Sequence, residues 1–379
     1  MQYFKNTRLH GVSNWWSWIF VFWLTLLGWI VAQLFLTSPL LPIAQEIDPE
    51  LGQAFVDAST TAFDDVNMAV IGLAALGFLV TTAIGLIFSL IALTTKSDNF
   101  KGFGVVGGIA ITGSFLCLFL LSPLASSPES TVVLNRLLAQ SPLSYALILL
   151  TFPASLVMLY IGQKFIHKRT ITSLHTAFSR FRFARAFQAI IVTWVILGVL
   201  AFGLNAFGIT PLTFTFDASR FFIYAAISLA FIPLQSATEE IVFRGYLNQA
   251  VENLTRNKWV AFVLTSLLFM AMHLANPEAL SGAEAGILPI VMSSYFFFGF
   301  AACLLVWMDD GLESAIGVHA ANNTFAAVFV NYENSVLPTP SIFQIQASPG
   351  LDSVFTIITL SIILIALYAL RPKPVAPAA

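Results

Sequence analysis

Residues 221–247 read FFIYAAISLAFIPLQSATEEIVFRGYL, an apolar run that ends in two adjacent carboxylates and an arginine. A helix that crosses a bilayer needs about 20 predominantly apolar residues, and this run is long enough. Charged groups inside such a segment cost about 2.5–3.5 kcal/mol each on insertion scales and by default indicate function. The stretch therefore predicts a transmembrane helix that carries a polar site.

The composition of the whole chain agrees with this prediction. Its 379 residues are 58% hydrophobic and 9% charged, whereas a soluble domain carries roughly a quarter charged residues. We predict an all-α, polytopic transmembrane bundle with a buried polar site in its C-terminal half. The net charge of -2, with no basic patch outside short loops, argues against nucleic acid as a partner. Cys117 and Cys303 lie in apolar runs and are expected to be core residues.

Apolar runs along the chain predict about ten spans. The candidate spans are Trp15–Leu36, Met68–Thr95, Phe103–Leu124, Leu143–Gly162, Ala186–Phe207, Phe221–Leu247, Trp259–Ala275, Leu288–Trp307, Ala315–Val330 and Val354–Leu370.

The distribution of basic residues predicts the topology. Lys and Arg collect in cytoplasmic loops, and here they occur at the N-terminus, in alternate connections and in the tail. We therefore expect an integral protein of the plasma membrane with both termini in the cytoplasm. The connection 164–185 is basic, with apolar residues at helical spacing, which predicts an amphipathic helix on the inner leaflet. His10, His167 and His175 lie in basic segments and are expected to be solvated.

This connection suggests a division of the chain into three regions. Residues 1–185 would form an N-terminal four-span region with the basic interfacial segment. Residues 186–335 would form the core that holds the polar site, and residues 336–379 would form the last span and a short tail.

Ionisable and amide groups within apolar runs concentrate in the second half of the chain. Glu240 and Arg244 are separated by four residues, so they share a helix face and can form an ion pair. Glu239 lies about 100° around the helix from Glu240 and faces a different neighbour. The predicted site adds residues from two further spans: His273, His319 and Asn323.

These groups allow three interpretations. The first is a polar network that only holds helices together in lipid. The second is hydrolysis, in which a carboxylate beside a histidine takes a proton from water while a histidine and an amide stabilise an oxyanion. In the third, His273, His319 and Glu239 would be three ligands for a divalent metal such as zinc, although the H-E-x-x-H signature is absent.

Three short motifs, read together, resemble a known family. EEIVFR, FMAMH and HAANN occur in this order, each in an apolar span, between residues 186 and 330. The region is similar to the CPBP family of intramembrane proteases, which includes the type II CAAX prenyl endopeptidases and the bacterial Abi proteins. The family is often labelled metalloprotease, and a glutamate-dependent, metal-free mechanism has also been argued for it.

The resemblance implies a role for each residue at a motif position. Glu239 would activate water and His273 would assist it, while His319 and Asn323 would hold the oxyanion. Glu240 and Arg244 would be the paired, supporting members. No cofactor is firmly implied, and zinc is the alternative to a metal-free mechanism.

We therefore expect an intramembrane endopeptidase that acts on membrane-embedded or membrane-anchored proteins or peptides from the cytoplasmic side. The alternatives are a transporter or proton relay, since intramembrane Glu and His also serve pumps, and a non-catalytic immunity or scaffold protein of the same fold.

Overall fold

The computed structural model describes residues 2–64, 128–333 and 335–371. These residues are mostly helical. The α-helices are α1 (Gln2–Leu9), α2 (Trp15–Thr37), α3 (Leu40–Ile47), α4 (Pro49–Asp64), α5 (Pro128–Gln140), α6 (Pro142–Ile161), α7 (Phe183–Ala206), α8 (Ala218–Glu240), α9 (Asn248–Thr255), α10 (Lys258–Ala271), α11 (Pro277–Glu284), α12 (Leu288–Asp309), α13 (Glu313–Val328) and α14 (Pro349–Ala369).

Within the described residues, six helical segments are long and apolar enough to cross a membrane. They correspond to the predicted first, fourth, fifth, sixth, eighth and tenth spans. The predicted seventh and ninth spans are the shorter helices α10 and α13, of 14 and 16 residues. The predicted spans Met68–Thr95 and Phe103–Leu124, with Cys117, lie outside the described residues. The protein is an integral membrane protein, but a count of ten spans is not confirmed.

The helical prediction needs one correction, because a small three-stranded sheet is present. Strand β1 (Thr213–Phe214) pairs antiparallel with β3 (Phe343–Ile345), and β2 (Val330–Tyr332) pairs parallel with β3. The strand order is β1-β3-β2. The sheet ties the connection before α8 to the connection after α13, so the two helices that carry most of the polar site are joined at one end.

Helix α7 shows how the bundle meets lipid. Large apolar side chains recur along it every three or four residues, and each is at least 41% exposed. The opposite face is buried and contains small or polar side chains. This distribution reverses that of a soluble helix and fits a helix whose outer face contacts acyl chains. The exposed residues are Phe187, Ile191, Val195, Val199 and Phe202.

Helix α7 packs closely on α13, which positions the central polar residues. A Cβ at Gly317 would lie 2.4 Å from the Ala186 carbonyl oxygen and 2.8 Å from the Ala189 Cβ. Only glycine therefore allows this approach of the two backbones. The Trp194 indole N–H, on α7, donates to the Ala321 carbonyl at 3.0 Å. These contacts fix the rotation of α13 about its axis.

Two ion pairs connect the start of α7, the end of α12 and the start of α13. Arg185 Nε donates to Asp309 Oδ2 at 2.9 Å, and Arg182 Nη2 donates to Glu313 Oε2 at 2.8 Å. Asp309, Arg185 and Glu313 are buried, so each charge needs its partner. The chain turns between α12 and α13 at Asp310, whose φ of 51° is left-handed.

The amphipathic helix predicted for residues 164–185 is wrong. The segment consists of a π-helical turn (Gly162–Ile166), a 3₁₀ turn (Ile171–Leu174) and irregular backbone. Lys168 has a φ of 53°, which ends the helical run. The following Arg169 is 6% exposed and donates to the carbonyls of His10 and Thr7. A regular surface helix would leave this guanidinium without those acceptors.

The prediction that His167 is solvated is also wrong. Its side chain is fully buried, with Nδ1 2.9 Å from the Val12 carbonyl and Nε2 2.9 Å from the Tyr246 hydroxyl. Burial lowers the pKa of His167 to about 4, against the opposing effect of the Val12 carbonyl. His175 is partly buried, and burial lowers its pKa too. His10 is exposed, as expected.

Candidate functional site

The centre of the site is a fully buried ion pair at the point where α8 changes its winding. Helix α8 continues into a π-helical segment at Ile241–Leu247, and π-helical insertions are frequent at functional sites. Arg244 Nη1 donates to Glu240 Oε1 at 3.0 Å, and both side chains have no exposed surface. The predicted pairing of these two residues is therefore present in the structure.

Aromatic packing and a glycine make room for the arginine. The guanidinium carbon of Arg244 lies 4.2 Å from the Phe269 ring centroid, within the range of a cation–π contact. On the neighbouring helix α12, a Cβ at Gly299 would lie 3.2 Å from Arg244 Nη2 and 3.1 Å from the Ser266 Cα. The glycine thus lets α10 approach α12 while the guanidinium lies between them.

His319 reaches the carboxylates from the facing helix α13. Its Nδ1 is 2.7 Å from Glu240 Oε1, and its Nε2 is 3.8 Å from Glu239 Oε2. A carboxylate can only accept, so Nδ1 carries a proton and donates to Glu240. The Phe298 ring meets the imidazole edge-on at 5.0 Å. His319 is thereby oriented by Glu240 and presents Nε2 to Glu239.

The two glutamates occupy different environments. The side chain of Glu240 is fully buried and contacts both Arg244 and His319. The side chain of Glu239 is 16% exposed, and the Gln235 amide donates to its Oε1. Glu239 is thus the carboxylate of the pair that retains some access from outside the protein.

Asn323 lies one turn beyond His319 on α13 and faces the same region. Its Nδ2 donates to Gln235 Oε1 at 3.4 Å, and its Oδ1 accepts from Asn322 Nδ2 at 3.1 Å. The predicted grouping of His319 and Asn323 on one side of a helix therefore brings both toward the Glu239 end of α8.

His273 approaches from the turn that follows α10, which ends two residues earlier at Ala271. Its Nδ1 donates to the Phe269 carbonyl at 2.7 Å, which leaves Nε2 as an acceptor in the neutral ring. The Phe269 ring contacts both histidines, with its centroid 4.5 Å from that of His273 and 6.0 Å from that of His319. Among the described residues, His273 makes no hydrogen bond to either glutamate, so it lies at the edge of the cluster.

Several residues around the site were not predicted. Tyr295 stacks on His273 with ring centroids 4.5 Å apart, and its hydroxyl accepts from Asn276 and donates to Glu278. Gln235 is a polar residue in an apolar run, four positions before Glu239, so helical spacing alone could have identified it. No comparable signal marks Tyr295, because a tyrosine in an apolar span is ordinary.

The residues do not fit a metal ion well. Among the described residues, no group of three His, Cys, Asp or Glu side chains is arranged to hold one. In the predicted ligand set of His273, His319 and Glu239, both histidines donate through Nδ1, which leaves each Nε2 as a possible ligand, but the three side chains are not arranged around one point that an ion could occupy. The reaction proposed for the site therefore uses its side chains alone.

Fold and site together define the class: a helical integral membrane protein with a polar cluster buried between α8, α10 and α13. A model of the family described as "Type II CAAX prenyl endopeptidase Rce1-like" matches residues 220–325, a range that contains all six predicted site residues. The chain is 31% identical to the "Uncharacterized protein YyaK" of Bacillus subtilis (strain 168) over 262 residues, 68% of this chain and 84% of that protein. No solved structure matches the chain significantly. The chain belongs to the Rce1-like family.

Proposed function

We propose that the protein is an intramembrane endopeptidase that hydrolyses peptide bonds with a water activated by Glu239. The observation that carries this proposal is the position of Glu239, a partly exposed carboxylate 3.8 Å from His319 Nε2 inside an apolar bundle. Its neighbour Glu240 is already neutralised by Arg244. Glu239 is thus the carboxylate available for proton transfer.

The proposed reaction uses each residue in one role. Glu239 takes a proton from water while the water oxygen attacks the scissile carbonyl carbon, and His273 Nε2 assists as a second acceptor. Asn323 Nδ2 and His319 Nε2 donate to the resulting oxyanion. His319 needs a second proton for this role; the Glu239 carboxylate would balance the imidazolium charge before the proton transfer, and the oxyanion would balance it afterwards. When the C–N bond breaks, Glu239 returns its proton to the leaving amine.

Burial of the site supports this chemistry, since electrostatic interactions strengthen where water is excluded. The substrate would be a peptide or a membrane-anchored or membrane-embedded protein segment that enters from the cytoplasmic side. We propose a plasma-membrane location with both termini in the cytoplasm, from the loop charges. Glu240 and Arg244 would support the site without touching the substrate.

Cleavage of reporter peptides by the purified protein tests the proposal. Wild type should cleave, Glu239→Gln should be inactive although it folds and inserts, and Glu284→Gln should cleave normally. Glu284 is an exposed carboxylate on α11, so its variant is a matched control for loss of a charge. Cleavage by Glu239→Gln equal to wild type would contradict the proposal.

The same preparation distinguishes the two alternatives. A transporter or proton relay should show no cleavage but a solute or proton flux in liposomes that Glu239→Gln abolishes. A scaffold or immunity protein should show neither activity. The endopeptidase proposal rests on the arrangement of Glu239, His319 and Asn323, which a scaffold would not need.

A further inference from the structure

Three side-chain amides form a continuous path from α13 to Glu239 on α8. Asn322 Nδ2 donates to Asn323 Oδ1 at 3.1 Å, and Asn323 Nδ2 donates to Gln235 Oε1 at 3.4 Å. Gln235 Nε2 then donates to Glu239 Oε1. The path crosses from one helix to the other at Gln235, which is 9% exposed.

The direction of this path follows from its last member. A carboxylate can only accept, so Gln235 must turn its NH₂ group toward Glu239 and its oxygen away. That oxygen can then accept from Asn323 and from the Ser236 hydroxyl, 3.1 Å away. Asn323 must in turn direct its NH₂ group toward Gln235, so its oxygen faces Asn322. One carboxylate thereby determines the orientation of all three amides.

We infer that Gln235 is a positioning residue: it holds the Glu239 carboxylate in place and links its orientation to that of the Asn323 amide. This inference rests on the proposed function, in which Glu239 is the base and Asn323 an oxyanion donor. Hydrogen bonds in a chain polarise one another in a medium of low dielectric constant. The path, which we call the amide relay (Asn322, Asn323, Gln235), thus couples the base to the oxyanion side of the site.

A glutamine that served only to pack helices would have different consequences from a member of the relay. Its loss would lower stability and would affect kcat and KM without preference. Loss of a donor to Glu239 acts instead on the step in which that carboxylate accepts a proton. Glu239 also interacts electrostatically with His319, Glu240 and Arg244. These residues are the same in wild type and in the Gln235 variants, so a difference in pH profile reports the change at Gln235.

Two substitutions at Gln235 separate its donor from its acceptor. Gln235→Leu removes both, whereas the isosteric Gln235→Glu keeps an acceptor for Asn323 but removes the donor and adds a second carboxylate. We expect Gln235→Leu to lower kcat by about 10- to 100-fold, the equivalent of one hydrogen bond to a charged group, with KM changed less than about 2-fold. Gln235→Glu should lose at least as much, and in both variants the acid limb of the kcat/KM profile should move to higher pH.

Thr238→Val is the matched control. Thr238 is buried on the same helix, next to Glu239, and its hydroxyl donates to the Leu234 carbonyl of its own helix. This variant should keep kcat within about 2-fold of wild type, with an unchanged pH profile. Equal kinetic effects of Gln235→Leu and Thr238→Val, or an unmoved acid limb in both Gln235 variants, would overturn the inference.

A stability measurement keeps this test independent of the proposed function. In a double-mutant cycle of unfolding free energies, Gln235→Leu and Glu239→Gln should be non-additive, because Gln235→Leu removes the hydrogen bond and Glu239→Gln removes the acceptor charge that strengthens it. Thr238→Val and Glu239→Gln should be additive. If wild type cleaves no reporter, the proposed function fails while the cycle still decides the relay. If wild type cleaves and the Gln235 cycle is additive, the relay fails while the proposed function stands.

Discussion

Removal of the buried cation at the centre of the site should destabilise the protein far more than removal of the neighbouring charge on Glu239. Arg244→Met leaves Glu240 without its ionic partner in a place with no exposed surface. An uncompensated buried charge is expensive, and the methionine also loses the cation–π contact with Phe269. Glu239→Gln removes a charge that is 16% exposed and keeps a side chain of the same shape.

The expected magnitudes follow from these contacts. Breaking a buried ion pair by removing one partner costs about 3–5 kcal/mol. Glu240 retains His319 at 2.7 Å as a second partner, so we expect the lower end, about 3 kcal/mol. For Glu239→Gln we expect a loss within about 1 kcal/mol. Arg244 Nε and Nη2 and Glu240 Oε2 lack hydrogen-bond partners among the described residues, which limits the net benefit of the pair itself.

Equilibrium unfolding in mixed detergent micelles, followed by tryptophan fluorescence, measures these differences. The double variant Glu240→Gln with Arg244→Met removes the stranded charge, so it should recover at least about 1 kcal/mol relative to Arg244→Met alone. An Arg244→Met variant no less stable than Glu239→Gln would refute the reasoning. So would a double variant whose loss equals the sum of the single losses.

Four further outcomes are expected. Since burial lowers the pKa of His167 to about 4 from 6.5, the unfolded chain takes up a proton first as the pH falls. The free energy of unfolding should therefore drop between pH 6.5 and about 4, by roughly 3 kcal/mol in total. Denaturant titrations at several pH values should show a weaker pH dependence for His167→Gln; an equal pH dependence in variant and wild type would contradict the prediction. Asn323→Ala should cut kcat by about 10²–10³-fold with little change in KM. Extended treatment with a chelator should leave the wild-type protein active. Stoichiometric zinc in the purified protein that is lost in His319→Ala would contradict the metal-free mechanism. A reporter fused at the C-terminus should be active in the cytoplasm and one in the loop 45–65 should be active outside; the opposite result would reject the topology.

The apolar runs predicted most of the described spanning helices, because lipid imposes a simple requirement of length and hydropathy. The predicted span Trp15–Leu36 is the helix Trp15–Thr37, and Leu288–Trp307 is Leu288–Asp309. The prediction of secondary structure failed where contacts of buried polar side chains determine the backbone conformation. Residues 164–185 carry basic and apolar residues at helical spacing, yet His167 and Arg169 instead contact the N-terminal segment. Such long-range partners leave no local periodicity in a sequence.

For the candidate site, spacing within one helix predicted a contact, whereas the contacts between helices could not be predicted. The i, i+4 spacing of Glu240 and Arg244 predicts their pairing, and the structure contains it. The approach of His319 to both glutamates depends on how α8 and α13 pack, which no spacing encodes. The π-helical turn after Glu240 was not predicted either, since no residue pattern in the quoted stretch distinguishes it from a regular helix.

The adjacent glutamates explain how one short stretch can supply both support and chemistry. Two titratable groups whose environments differ can take different roles even when they are neighbours in sequence. Glu240 is closed off, with a guanidinium and an imidazole N–H as partners. Glu239 keeps partial access, an amide donor, and His319 Nε2 at 3.8 Å. For Glu239 to take the position of Glu240, helix α8 would have to rotate about its axis by about 100°, the angle between successive residues. The rotation that pairs Glu240 with Arg244 and His319 therefore also fixes Glu239 as the accessible carboxylate, so the supporting ion pair and the proposed base are set by the same packing of α8 against α13.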